Sequence, residues 1–152
     1  MKFTQKGGLA VELEQRKKIF KETLTYLPLS LREILGKIDD KNFSNITEIR
    51  LRAGRPLSLT LRGENVFVSN SGQICYLLQH GLYTVSFEEI RSTFKNICDC
   101  SIYAFSEQIK NGYITLKNGC RAGFAATAVY ENGKISGFKA VSSINIRIAS
   151  EY

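Results

Sequence analysis

Tryptophan is absent from the 152 residues, histidine and methionine occur once each, and proline occurs twice. A single histidine, His80, removes most neutral-pH acid–base chemistry and most mixed Cys/His metal sites. The apolar stretches are short and broken by charge, so none approaches the roughly 20 residues that a membrane-spanning helix needs. No signal-peptide core separates Lys2 and Lys6 from the acids Glu12 and Glu14, which makes a cytoplasmic location the expectation. Nowhere does a Gly-rich loop end in Gly-Lys-Ser or Gly-Lys-Thr. Lys6-Gly7-Gly8 and Asn132-Gly133-Lys134 lack both the hydroxyl residue and the glycine spacing, so the common phosphate loop of nucleotide hydrolases is missing.

Cysteine is present but poorly arranged for chemistry. Cys75, Cys98, Cys100 and Cys120 are irregularly spaced, and without an export signal the expectation is reduced thiols and no disulfide. Cys98 and Cys100 have one residue between them and no second pair, so no metal is expected and inert, buried thiols are. His80 has no nucleophile or carboxylate beside it and reads as a loop histidine. Ser142-Ser143 lacks the glycines of a nucleophile elbow. Glu88 and Glu89 fall in the first turn of a helix, where acids complement the dipole.

What the chain does have is positive charge and periodicity. Lys and Arg number 21 against 14 Asp and Glu, a formal net charge of +7 that favours nucleic acid, acidic lipid, nucleotide phosphate or an acidic neighbouring domain. Over residues 9–26, Leu9, Leu13, Ile19, Phe20 and Leu24, with Leu27 just beyond, recur at helical spacing. Ser30 with Glu33 has the form of a capping box before the stripe Leu31, Ile34, Leu35 and Ile38, and Asp39, Asp40 and Asn42 end that helix. From Ile46 the period becomes two. Ile49, Leu51 and Ala53 alternate with Glu48, Arg50 and Arg52, and after the turn Gly54-Arg55-Pro56, Leu57, Leu59 and Leu61 alternate with Ser58, Thr60 and Arg62. A third strand follows at 66–68, and 74–78 is a further strand or edge.

Ser86 and Glu89 form a second capping box, opening a helix with Phe87, Ile90, Phe94 and Ile97 as its stripe. A short fourth helix is expected from Ser101, burying Ile102, Phe105 and Ile109 and stopping at Asn111-Gly112. Strands at 113–116, 121–130, 134–141 and 143–148 are joined by turns at Asn118-Gly119 and Asn132-Gly133. The fold class is therefore α+β: a helical portion, 1–45, packed on an antiparallel-sheet domain, 46–152. Arginine on a strand must leave the core or find an acid. Several together make a planar-donor surface suited to phosphate or carboxylate, with a plain solvated face as the alternative.

The run Glu48-Ile49-Arg50-Leu51-Arg52-Ala53-Gly54-Arg55-Pro56-Leu57, then Ser101-Ile102-Tyr103-Ala104 with Glu107, then Gly112-Tyr113-Ile114-Thr115 resembles the stage III sporulation protein AA family. Gly119-Cys120-Arg121-Ala122-Gly123 and Ser142-Ser143-Ile144-Asn145-Ile146-Arg147-Ile148-Ala149 continue the likeness, which covers about residues 26–151. Cys120 and Ala126 depart from it, standing where the family usually has histidine and glycine. No role of that histidine carries over. The residues up to about Lys18 match no pattern.

The resemblance implies a region that precedes a RecA-like ATPase domain, related to secretion and pilus-retraction ATPases, in the mother cell of endospore-forming bacteria. The phosphate loop would follow Tyr152, and the strand–turn pattern at 48–63 is similar to the PAS-like N-terminal domain of pilus-retraction ATPases. On this reading the chain is a non-catalytic assembly or regulatory domain without its own cofactor, while ATP and Mg serve the longer parent. Its partners would be its own ATPase domain, further copies in a ring, and membrane-embedded proteins of the sporulation complex. Arg50, Arg52, Arg55, Arg121 and Arg147 are the candidates to meet nucleotide or interface. The rival is a basic nucleic-acid-binding module. Its only motif support is Arg121-Ala122-Gly123-Phe124, which has the wrong glycine position and aromatic spacing for an RNA-recognition strand.

Overall fold

The computed structural model describes residues 2–99 and 113–149. Cys100, the helix expected from Ser101 and its stop at Asn111-Gly112 lie outside the described residues. The chain begins with helix α1 (Lys2–Leu24), followed by α2 (Leu29–Gly36) and a 3-10 turn (Asp40–Asn45). The apolar spacing of α1 places only its last turns in the core: Ile19 and Phe20 are buried, whereas Leu9 is exposed. Phe20 packs its ring on Phe43 of the 3-10 turn at 4.8 Å.

The capping box read at Ser30 and Glu33 does not form. Helix α2 starts two residues earlier, with Pro28 at its N-cap and no side-chain capping bond. Proline can hold that place because it fixes an extended entry to the helix (φ −66°, ψ 161°). The Ser30 hydroxyl is thereby released for a tertiary partner and donates to Glu89 Oε2 at 2.6 Å. The box at Ser86 does form. Ser86 N donates to Glu89 Oε1 at 2.9 Å and Glu89 N donates to Ser86 Oγ at 3.1 Å, opening α3 (Phe87–Asp99).

Among the described residues seven strands make one antiparallel sheet: β1 (Ile46–Arg52), β2 (Ser58–Leu61), β3 (Glu64–Val68), β4 (Ile74–Cys75), β5 (Tyr113–Thr115), β6 (Arg121–Glu131) and β7 (Lys134–Arg147). Their order is β4-β3-β2-β1-β7-β6-β5, so β1 lies at the centre with β2 on one side and β7 on the other. Strand alternation turns Ile49, Leu51, Leu59, Val66, Val68, Ile114, Ile144 and Ile146 to one face. There they join Phe20, Leu31, Leu35, Ile90 and Ile97 of the helices and Leu27 of the α1–α2 link in a single core. Each such side chain removed from water contributes on the order of 2 kcal/mol.

Three local readings change. Arg62, expected to alternate on β2, sits in the β2–β3 turn at φ 51°. The edge expected over 74–78 shrinks to two residues, and Tyr76, Leu77 and Leu78 are exposed. The separate strands expected at 134–141 and 143–148 are one strand, β7, because Ala140 takes a positive φ and bulges the chain instead of ending it. Across that bulge the register jumps from Ala125↔Ser143 to Thr127↔Lys139. Beyond it β6 and β7 pair only with each other among the described residues, forming an arm whose base rests on α3 through Phe94, Phe124 and Phe138.

Candidate functional site

The face of the sheet turned away from the core carries the arginines, because residues of one parity on β1, β6 and β7 are buried and their neighbours cannot be. Strand register converts this parity into rows. One row runs Thr115↔Arg121↔Arg147↔Glu48↔Thr60 across β5, β6, β7, β1 and β2. The next runs Tyr113↔Gly123↔Asn145↔Arg50↔Ser58↔Phe67. A third contains Ala125↔Ser143↔Arg52. Four of the five arginines singled out from the sequence, Arg50, Arg52, Arg121 and Arg147, thus share one open face. Arg55 does not join them. It is exposed in the β1–β2 turn, its backbone N donating to Arg52 O at 3.0 Å.

The four differ in how they are held. Arg50 is committed within the sheet: Nη1 donates to Asn65 Oδ1 at 2.8 Å, Nη2 to Thr60 Oγ1 at 3.1 Å, and Nε lies 3.4 Å from Glu48 Oε1. It ties β1 to β2 and β3 and neutralises Glu48. Arg121 places its guanidinium over the Tyr113 ring, 4.7 Å from the centroid, a cation–π contact. Arg147 is exposed and stands directly opposite Arg121 in register. Among the described residues neither Arg121 nor Arg147 has a carboxylate in ion-pair contact.

Glu48, Tyr113, Arg121, Gly123, Asn145 and Arg147 line a cavity of about 390 Å³ on this face. Gly123 stands between Tyr113 and Asn145 in the strand register and contributes only backbone to the lining. Asn145 Oδ1 is shut off from solvent and has no hydrogen-bond partner among the described residues. Tyr113, Gly123 and Asn145 were not among the residues read from the sequence as functional. Their parity relative to Arg121 and Arg147 was the available signal, but it points to a shared site only once the β5–β6–β7 register is known.

The remaining groups with chemical potential are accounted for by packing. His80 is an exposed turn residue. Ser142 Oγ reaches only Ala125 O, at 3.5 Å. Cys120 is buried, accepts from Ala149 N at 3.2 Å and lies 3.3 Å from Thr23 Oγ1, so it fastens the chain just after β7 to α1. No cluster of His, Cys, Asp or Glu suited to a metal occurs among the described residues, and no helix among them is long and apolar enough to cross a membrane. Burial, with Asp99 beside it, pushes the Cys98 thiol up to about 11. At neutral pH the thiolate is then about one part in ten thousand. Iodoacetamide labelling followed by mass spectrometry is expected to modify Cys98 in the unfolded chain but hardly at all in the folded one; equal rates would show an accessible, ordinary thiol.

The family profile described as "Sporulation stage III, protein AA" matches residues 14–152. Stage III sporulation protein AA of Bacillus subtilis (strain 168) is 31% identical over 130 residues, which is 86% of this chain and 38% of that protein. The chain thus spans well under half the length of the curated relative it matches. No solved structure matches.

Proposed function

Given that the chain belongs to the sporulation stage III, protein AA family, we propose that it is a non-catalytic N-terminal assembly domain of a longer motor ATPase. It uses its arginine-bearing sheet face to pack on an ATPase domain, its own or a neighbour's, in a homo-oligomeric ring. The observation that carries this reading is the gathering of Arg50, Arg52, Arg121 and Arg147 on one open face, three of them (Arg52, Arg121 and Arg147) without an ion-paired acid among the described residues. Such a face gains most from a partner that brings negative charge, either acidic side chains or the phosphates of a bound nucleotide. A planar bidentate donor supplied across a subunit boundary stabilises charge on a transferring phosphoryl group. ATP and Mg belong to the ATPase domain of the parent, and the ring works in the mother cell with membrane-embedded proteins of the sporulation complex.

The test uses the full-length protein, replacing Arg52, Arg55, Arg121 and Arg147 singly by alanine and measuring ATPase rate and oligomer size. At least one of Arg121→Ala and Arg147→Ala is expected to lower the rate by about tenfold or more, or to shift the oligomer to smaller species. Wild-type rate and size in all four would remove both the interface and the nucleotide role. Salt-dependent binding of single-stranded oligonucleotide at physiological ionic strength would instead favour a nucleic-acid-binding module.

A further inference from the structure

We propose that the loop at 76–80 is a peripheral membrane anchor: Leu77 and Leu78 enter the acyl region of an anionic bilayer while Lys37 and Arg55 meet its headgroups. The loop uses none of the sheet-face arginines, and the inference stands whether or not the domain assembles on an ATPase.

Leucine pairs belong in cores, yet Leu77 and Leu78 are 75% and 71% exposed, with Tyr76 beside them at 58%. Contiguous apolar exposure of this kind marks a binding surface. The loop is held at both ends. β4 stops at Cys75, Asn70 N donates to Gly81 O at 2.8 Å, Tyr83 N donates to Val68 O at 2.9 Å, and Ser69 bridges to Leu82. The projection is thus fixed by backbone bonds, not by fraying of an edge strand.

The composition around it is equally unusual. Between Glu64 and Glu88 there is no Asp, Glu, Lys or Arg, although those types make up 23% of the chain. Charge reaches the ends of the loop from segments outside that stretch. Lys37, after α2, abuts the turn that carries Asn70, since a Cβ on Gly72 would stand 2.3 Å from the Lys37 Cβ. Arg55 is tied to the segment leaving the loop, its backbone O accepting from Val85 N at 2.9 Å. Both cations are exposed, and neither is in an ion pair among the described residues.

The order of these features selects the partner. A protein interface surrounds its apolar centre with a polar rim that matches the rim opposite. Here uncharged residues flank the leucines, Tyr76 and His80 stand at their shoulders, and the cations come from the segments that hold the loop's ends. That is the layering of a bilayer surface. Charge is expelled from the acyl region, aromatic rings with a polar tip sit at headgroup level, and Lys or Arg gain from anionic lipid. A stable surface anchor needs two weak signals together; apolar insertion supplies one, and the two cations with the net charge of +7 supply the other.

Tryptophan is absent from the chain, so Leu77→Trp places a single fluorophore on the loop. The experiment mixes this variant with vesicles of phosphatidylcholine containing about 30% phosphatidylglycerol. Its emission is expected to shift to the blue and to be quenched by acyl-brominated lipid, with half the protein bound at about 1 mM lipid. Vesicles of phosphatidylcholine alone should require about tenfold more. In co-sedimentation of the chain without the fluorophore, replacing Leu77 and Leu78 together by serine should raise the lipid required by about tenfold or more. Lys37→Gln or Arg55→Gln should raise it by about fivefold each. Tyr130→Ser, which removes an exposed aromatic from the β6–β7 arm, should change nothing. The proposal is overturned if the emission does not move, if the leucine pair can be replaced without loss, or if Arg121→Gln or Tyr130→Ser weakens binding as much as that replacement. A blue shift that grows with protein concentration in the absence of vesicles would also overturn it, assigning the loop to a second copy of the chain.

Discussion

Gly72→Ala is expected to destabilise the protein by about 3 kcal/mol, from two costs that fall on the same atom. Gly72 closes the turn between β3 and β4 at φ +83°, where an L side chain is strained. A Cβ there would stand 2.3 Å from the Cβ of Lys37 and 3.2 Å from Ile34 O, at the C-terminal end of α2. Neither neighbour is the far end of a flexible side chain, so the turn and the helix must separate. Gly63 offers the comparison: its φ is +79° and a Cβ would meet nothing within 4 Å. Gly63→Ala should therefore cost only about 1 kcal/mol, the conformational part. Urea unfolding of the two variants measures the difference; equal losses would mean that the close approach of the β3–β4 turn to α2 carries no energy.

Glu89→Ala is expected to cost about as much, because one buried carboxylate organises three segments. It accepts from Ser30 Oγ of α2 at 2.6 Å, from the Tyr83 hydroxyl of the preceding loop, and from Ser86 N at 2.9 Å. Truncation leaves all three donors without their acceptor. Burial alone would raise this carboxyl's pKa, but the hydrogen bonds from Ser30, Tyr83 and Ser86 outweigh it and hold the group below its ordinary 4.5. Burial of the Tyr83 phenol, and after it the same carboxylate, push its pKa up. A depressed carboxyl binds fewer protons folded than unfolded, so its stabilisation is complete above pH 4.5 and is lost as pH falls through the folded value. Exposed Asp40, held down chiefly by its hydrogen bond from Lys17, acts in the same direction with solvent screening. Glu89→Gln should accordingly flatten the acid limb of the stability–pH curve in chemical denaturation; a limb unchanged from the parent would show that Glu89 is not what titrates there.

Local chemistry was legible where it was self-contained. The alternation over β1 and β2 put Glu48, Arg50 and Arg52 on one face, since period-two patterning depends only on which side is buried. The capping box at Ser86 and Glu89 formed as read, although its side chain also serves partners in α2 and the Tyr83 loop that no local pattern announces. The identical motif at Ser30 and Glu33 misled because Pro28 had already set the helix start and Glu89 competed for the hydroxyl. The strands expected at 134–141 and 143–148 are continuous, because a bulge at Ala140 absorbs the irregularity and β7 continues through Ser142. The cavity was hardest to foresee. Its rows join β1 to β7 across about the whole described sheet domain, and such non-local register is set by tertiary packing, not by neighbours in sequence.

The β6–β7 arm has a bearing on solubility. Past Ala140 neither strand has a further neighbour among the described residues, so each offers a row of backbone donors and acceptors to any extended chain that meets it. The tip adds Tyr130, 64% exposed, with Val129 and Ile135 beside it. Against this stand Glu131, Lys134 and Lys139, charges on both strands that make a second copy a poor match, and a bulge that twists the ladder where an intruding strand would have to lie flat. Taking those charges away would turn an arm that reaches outward into a template for self-association.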